Sequence, residues 1–147
     1  MKIAVGSDHT GYEDPPPHYK PELMAHLGIK GFHVINCGTD TPEAVDYPDV
    51  AETVCDKVLS GEAELGLLMC GTGIGMSIPA NRHKGIRAAV CTTPEMARLS
   101  RQHNHANVLC LGRRVLSINA CKEIIDAWLE EPYSEEERHV RRVKKMG

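Results

Sequence analysis

Gly66–Ser77 reads GLLMCGTGIGMS, and this stretch decides the fold. An apolar run stops at Cys70. Five residues with three glycines follow, Gly71-Thr72-Gly73-Ile74-Gly75, and then a helical pattern begins. A buried strand that opens into a loop nearly bare of side chains lets backbone N–H groups crowd around a ligand. A cysteine at the edge of such a loop is either a reactive thiol or core filling.

Outward from this point, four more segments read as strands: KIAVG (Lys2–Gly6), FHVINCG (Phe32–Gly38), GIRAAVC (Gly85–Cys91) and ANVLCLG (Ala106–Gly112). With ELGLLMC (Glu64–Cys70) they are short, rich in Val, Ile and Leu, and bounded by Gly or polar residues. Their near-continuous apolar character suits strands buried on both faces. Helical patterns lie between them. YPDVAETVCDKVLSG repeats Val50, Val54 and Val58, with Pro48 near its start and Gly61 past its end. TPEMARLSRQHN opens with Thr93 as N-cap and Pro94 in the first turn, and SINACKEIIDAWLEE starts at Ser117. In EDPPPHYKPELMAHLG the prolines delay the helix, which is expected from about Pro17 or His18 to Leu27.

Strand and helix alternating five times argues a five-stranded parallel sheet with helices on both faces. Ligands of such sheets bind outside the carboxyl ends of the strands, where the strand order reverses. The turns to inspect are SDHTG after the first strand and CGTGIG after the third. If those strands are neighbours, the two turns face one crevice.

The bulk numbers narrow the partners. The chain has 147 residues, 25% charged and 41% hydrophobic, with net charge -3. This favours one domain, 1–147, and gives no reason to expect nucleic acid. Basic residues cluster only in RHVRRVKKMG, within a polar arm or terminal helix over about 133–147. No apolar run is long enough to span a membrane, and MKIAVGSDH turns polar too soon for a signal peptide. The six cysteines form no CxxC pair and suggest neither a disulfide framework nor a zinc site, so a reducing, cytoplasmic setting is expected.

Three standard loop chemistries fail on spacing. A P-loop needs Lys after its last glycine, and no Lys follows Gly75. The dinucleotide fingerprint is G-x-G-x-x-G, whereas Gly71, Gly73 and Gly75 are spaced G-x-G-x-G. A cysteine phosphatase would place Arg where Met76 stands. What remains is an anion-binding loop at a helix start with a thiol beside it, where N–H groups stabilise negative charge, a thiolate included. A base next to an oxyanion hole is the equipment for removing a proton α to a carbonyl. Cys70 by itself reads as a core cysteine, and the glycine loop after it turns the reading toward a base.

Further candidates gather around it. His103 and Asn104 precede the last strand, and Arg113 and Arg114 follow it. His103-Asn104-His105 is a weak metal motif, because adjacent histidines rarely share one ion and no acidic partner is near. Arg114, Arg138 and Arg142 suit a phosphate, and the last two would share a helix face. Asp8, His9, Asp46 and Tyr47 lie in turns that can line the crevice. Trp128 and His18, His26, His33 and His83 read as packing or surface residues.

GSDHTGYE, VDYPD, CGTGIGMSIPAN, GIRAAVC, SRQHNHANVLCLGRRV and RHVRRV together resemble the type B ribose-5-phosphate isomerases, a family that also includes galactose-6-phosphate isomerase subunits. The resemblance runs in register over nearly the whole chain. It implies a Rossmann-like three-layer α/β/α sandwich. It implies a homodimer with shared active sites, or a dimer of dimers. It also implies cofactor-free and metal-free aldose–ketose interconversion through a cis-enediolate, as in the non-oxidative pentose phosphate pathway. By resemblance, Cys70 moves the proton between C1 and C2, and Gly71, Thr72, Gly73, Ile74 and Gly75 hold the enediolate. His103 assists ring opening and Asn104 contacts the sugar, both from the other subunit. Asp8 and His9 lie on the substrate with Asp46 and Tyr47 beside it, and Arg114, Arg138 and Arg142 surround the phosphate. One branch of the family replaces the cysteine with a glutamate at the position of Met76; here the cysteine version applies. The proline cluster in EDPPPHYK departs from the usual uninterrupted helix. Two alternatives stand beside the five-carbon reading: an isomerase of a six-carbon sugar phosphate such as allose or galactose 6-phosphate, and a non-catalytic sugar-phosphate-binding protein on the same fold.

Overall fold

The computed structural model describes residues 1–147. Its strands are β1 (Lys2–Ser7), β2 (His33–Asn36), β3 (Leu65–Cys70), β4 (Ala88–Val90) and β5 (Val108–Gly112). Its helices are α1 (Tyr19–Ile29), α2 (Tyr47–Leu59), α3 (Ile74–Ala80), α4 (Pro94–Asn104), α5 (Ile118–Glu130) and α6 (Glu137–Met146), with a 3₁₀ turn over His9–Tyr12. All strand pairs are parallel, in the order β2-β1-β3-β5-β4. The order reverses between β1 and β3, so the SDHTG and CGTGIG turns are neighbours as expected.

The strands alternate strictly. Ile3, Val5, Leu65, Leu67, Met69, Leu109 and Leu111 join one core with α1, α4 and α5. Ala4, Leu68, Cys70, Val108 and Cys110 join the other with α2 and α3. This is the expected three-layer sandwich. In α5 the buried stripe Cys121, Ile124, Ile125 and Trp128 faces the first core. Each such large apolar side chain contributes about 1.5–3 kcal/mol when fully buried.

Element ends follow local hydrogen bonding. Thr93 and Ser117 cap α4 and α5 by accepting from Met96 N and Ala120 N, both at 3.1 Å. β4 begins at Ala88 and not at Gly85: Arg87 N donates to the Asn107 side chain at 2.8 Å, and Ala88, already paired with Val108, turns its N–H to Asn81 Oδ1 at 2.8 Å. β2 ends before Gly38, whose N–H turns back to Asn36 Oδ1 at 3.0 Å. α1 begins at Tyr19 and not at Pro17, since His18 is still extended and only Pro21 falls in the first turn, where a missing N–H costs nothing.

Lys20 is buried, 1% exposed, yet fully partnered. Its Nζ donates to Asn36 Oδ1 at 2.6 Å, Thr39 O at 2.8 Å and Asp40 Oδ1 at 3.1 Å. Burial lowers its pKa, and Asp40 opposes that shift. The loop it ties down crosses the end of β1, where Ser7 N donates to Gly38 O and Thr39 N to Ser7 O.

Candidate active site

Cys70 is the last residue of β3 and is 5% exposed. Its side chain points to the α2–α3 face. Gly73 N–H turns back and donates to Cys70 Sγ at 3.2 Å. That turn requires glycine: Gly73 has φ +84°, and a Cβ there would meet the Leu111 carbonyl carbon at 3.1 Å. Gly75, in the first turn of α3, leaves room for the Tyr47 ring; a Cβ on it would lie 3.4 Å from that ring and 3.7 Å from Cys70 Sγ. First-turn N–H groups have no acceptor within their own helix. Sulfur, loop donors and the Tyr47 ring therefore share one small volume. Thr72 Oγ1 accepts from Ile74 N at 3.2 Å, which holds the rest of the loop.

The neighbouring strand ends close the walls. Asp8 N donates to Met69 O at 3.1 Å, joining the first turn to the end of β3. The buried Asp8 carboxylate accepts from Thr10 N at 2.9 Å and Thr10 Oγ1 at 2.6 Å and starts the 3₁₀ turn that carries His9. His9 Nδ1 is buried without a partner. Asp46 stands at the N-cap of α2 but its carboxylate caps no N–H, and Tyr47 beside it is 41% exposed. On the far side, Arg113 N donates to Cys70 O and Arg114 N to Gly71 O, each at 2.9 Å. These bonds lay the Arg114 side chain along Gly71, whose Cβ would lie 3.5 Å from Arg114 Cδ.

His103, Asn104, Arg138 and Arg142 are not part of this cluster within one chain. His103 and Asn104 close α4, which packs on the opposite face of the sheet from Cys70. They also lead into the amino end of β5, whereas Cys70 pairs with Gly112 at its carboxyl end. Four residue-to-residue steps along β5, Val108 to Gly112, separate those ends, roughly 13 Å. His103 and Arg138 instead share a surface depression with Gln102, Glu136 and His139. The rings of His103 and His139 lie 4.4 Å apart. Burial, then His103 and Arg138, lower the pKa of His139. The Arg138 guanidinium is exposed and pairs with Glu136 at 2.9 Å. Asn104 opens instead onto a cavity of about 640 Å³ that also touches Asn81 and the α6 end at Met146. No three His, Cys, Asp or Glu side chains converge to hold a metal ion.

Two residues escaped the sequence reading. Glu13 grips Arg114, 101 positions away, and no local pattern announces such a pair. His139 lies inside RHVRRV; its Nδ1 pairs with Ser134 Oγ at 2.8 Å, and the packing of α6 on α4 sets its ring against His103.

The ribose/galactose isomerase family profile matches residues 3–146. The chain belongs to that family. It is thereby a sugar phosphate isomerase, and the resemblance read from its motifs holds. Ribose-5-phosphate isomerase B of Escherichia coli K12 is 48% identical over 143 residues, 97% of this chain and 92% of that protein. Galactose-6-phosphate isomerase subunit LacB of Clostridium acetobutylicum is 39% identical, over 90% of this chain and 74% of its own length. Among solved structures, ribose-5-phosphate isomerase B of Clostridium thermocellum superposes with TM-score 0.94 at 48% identity, covering 100% of this chain and 95% of that one. The Thermotoga maritima enzyme gives 0.92 at 46%, covering 99% and 96%. No helix is long and apolar enough to cross a membrane.

Proposed function

We propose that the chain interconverts ribose 5-phosphate and ribulose 5-phosphate through a cis-enediolate. The observation that carries the reading is the Gly73 N–H bond to Cys70 Sγ at 3.2 Å, which presents the sulfur as an acceptor at the mouth of a donor-rich loop. In the aldose-to-ketose direction, Cys70 takes the proton from C2 of the open-chain sugar. The C2 electron pair forms the C1–C2 double bond, and the carbonyl electrons move to O1. N–H groups of Gly71–Gly75 hold the resulting anion. A proton passes from O2 to O1, and the thiol returns its proton to C1 to give the ketose. Asp8, His9, Asp46 and Tyr47 orient the sugar hydroxyls. Arg114 receives the phosphate at the edge of the loop.

The remaining groups come from a second copy. His103 opens the ring and Asn104 contacts the sugar, and Arg138 and Arg142 travel with them to the phosphate. The separation of about 13 Å along β5, on opposite faces of the sheet, supports a homodimer with shared sites. So do exposed apolar side chains on α3 and α4 beside the β4 edge: Ile74 56%, Ile78 58%, Met96 43% and Leu99 37% exposed. Such side chains gain by being covered.

The 39% identity to a galactose-6-phosphate isomerase subunit keeps a six-carbon substrate as the second reading. A binding protein without catalysis would need neither a sulfur base nor a ring-opening histidine. One panel tests all three: initial rates with ribose 5-phosphate, allose 6-phosphate and galactose 6-phosphate. The expected order puts ribose 5-phosphate first in kcat/KM. A six-carbon sugar in first place would move the substrate, and turnover of none would remove the isomerase reading.

A further inference from the structure

We infer that Glu13 is a positioning residue for Arg114, fixing the guanidinium so that its free edge faces the glycine loop. This rests on the reading of Arg114 as a phosphate-binding group. Both carboxylate oxygens of Glu13 take part. Arg114 Nε donates to Oε2 at 3.1 Å and to Oε1 at 3.3 Å, and Nη2 donates to Oε1 at 2.9 Å. This fork occupies the Nε–Nη2 edge of a planar group whose five donors are rigidly arranged. Nη1 is the nitrogen left over, and it lies 3.6 Å from where a Cβ on Gly71 would stand.

Both partners are anchored. Arg114 N is bound to Gly71 O, and Glu13 ends the 3₁₀ turn by donating its own N–H to Thr10 O at 3.3 Å. Asp8 begins the same turn, so one short element sets a substrate-facing carboxylate at its start and the arginine clamp at its end. Arg113 holds the following proline segment, donating to Pro15 O at 3.0 Å and stacking on the Tyr19 ring at 4.2 Å. Glu13 is 24% exposed while Arg114 is 60% exposed, so the carboxylate is the fixed half and the guanidinium the half that meets a ligand. The hydrogen bonds from Arg114 keep Glu13 ionised below the usual carboxylate range, which preserves the fork in mild acid. A long exposed arginine left free would lose rotamer entropy on meeting a phosphate, and a fork formed beforehand removes that cost.

The test measures KM and kcat for the sugar phosphate, and Ki for inorganic phosphate, in Glu13→Ala, Glu13→Gln, Arg114→Ala and the Glu13→Ala/Arg114→Ala double variant. Glu13→Ala should raise KM and Ki about three- to five-fold, the scale of one partly exposed ion pair, with kcat little changed. Glu13→Gln, which keeps one acceptor oxygen, should fall between. In the Arg114→Ala background, Glu13→Ala should add nothing. A KM and Ki that stay level or fall in Glu13→Ala, while Arg114→Ala raises them, would make Glu13 a bystander or a competitor of the phosphate. An equal rise in both backgrounds would make its role structural. Arg114→Ala leaving the phosphate Ki unchanged would instead overturn the phosphate reading itself, and this inference with it.

Discussion

The carboxyl edge of β1, β3 and β5 and the α4–α6 end of the molecule are built by different rules. At the strand edge the thiol, the glycine loop and the adjoining turns are tied together by backbone groups. Gly73 N–H reaches Cys70 Sγ, Asp8 N reaches Met69 O, and Arg113 N and Arg114 N reach Cys70 O and Gly71 O. At the α4–α6 end His103, Arg138 and Arg142 sit on exposed helix surface. His103 is open to solvent against His139, and the Arg138 and Arg142 side chains extend from a terminal helix. The first region gathers the Cys70 thiol and the glycine-loop N–H groups within one chain. The second gathers two histidines and Arg138, with no thiol and no glycine loop beside them. The difference teaches that the expected site residues fall into two unlike halves at separate places in one chain; in the proposed homodimer a second copy joins them.

Breaking the first half should cost most. Cys70→Ala should lower kcat by on the order of 10²–10⁴-fold, the usual worth of a general base, with substrate affinity and fold nearly intact. Steady-state kinetics beside a circular dichroism melt check this. A variant that keeps more than about a tenth of wild-type kcat would leave Cys70 as core filling.

Gly73→Ala sharpens the comparison by touching only backbone. At φ +84°, with the Leu111 carbonyl 3.1 Å from the new Cβ, the loop must shift. Stability should fall by about 1–2 kcal/mol, and kcat should fall about tenfold or more as one cradle donor moves. A melt and a kcat both unchanged would detach the cradle from catalysis.

In the second half, Arg138→Ala and Arg142→Ala should each raise KM for the sugar phosphate about tenfold, as expected for lost charge-assisted hydrogen bonds, with a smaller effect on kcat. Weak binding of free ribose should hardly change. An equal loss for ribose and its phosphate would give these arginines a structural role.

Much of this was legible in the sequence because it is local. The apolar run ending at Cys70, the glycines after it, and the caps Thr93 and Ser117 each announce themselves within a few residues. The β1–β3 switch point followed from the alternation of strands and helices. The motifs named the family, and with it the residues to examine. What stayed hidden is what depends on distance. The Glu13–Arg114 fork spans most of the chain, and the approach of the tilted His139 ring to His103 depends on where α6 packs. The start of α1 at Tyr19 was blurred because several prolines allow more than one helix entry. The start of β4 at Ala88 is marked by the distant Asn107 side chain, which takes the Arg87 N–H.

The central claim, that each site is assembled from two chains, is tested most directly by hybrid dimers. Cys70→Ala and His103→Ala are each expected to be inactive alone. Unfolded together and refolded in equal amounts, they should give about half hybrids in a two-fold dimer. Each hybrid has one site with both lesions and one site with neither. About a quarter of wild-type activity should therefore return, with hybrids counted by co-purification of differently tagged chains. Hybrids that form yet stay inactive would contradict the account and place Cys70 and His103 in the service of one chain.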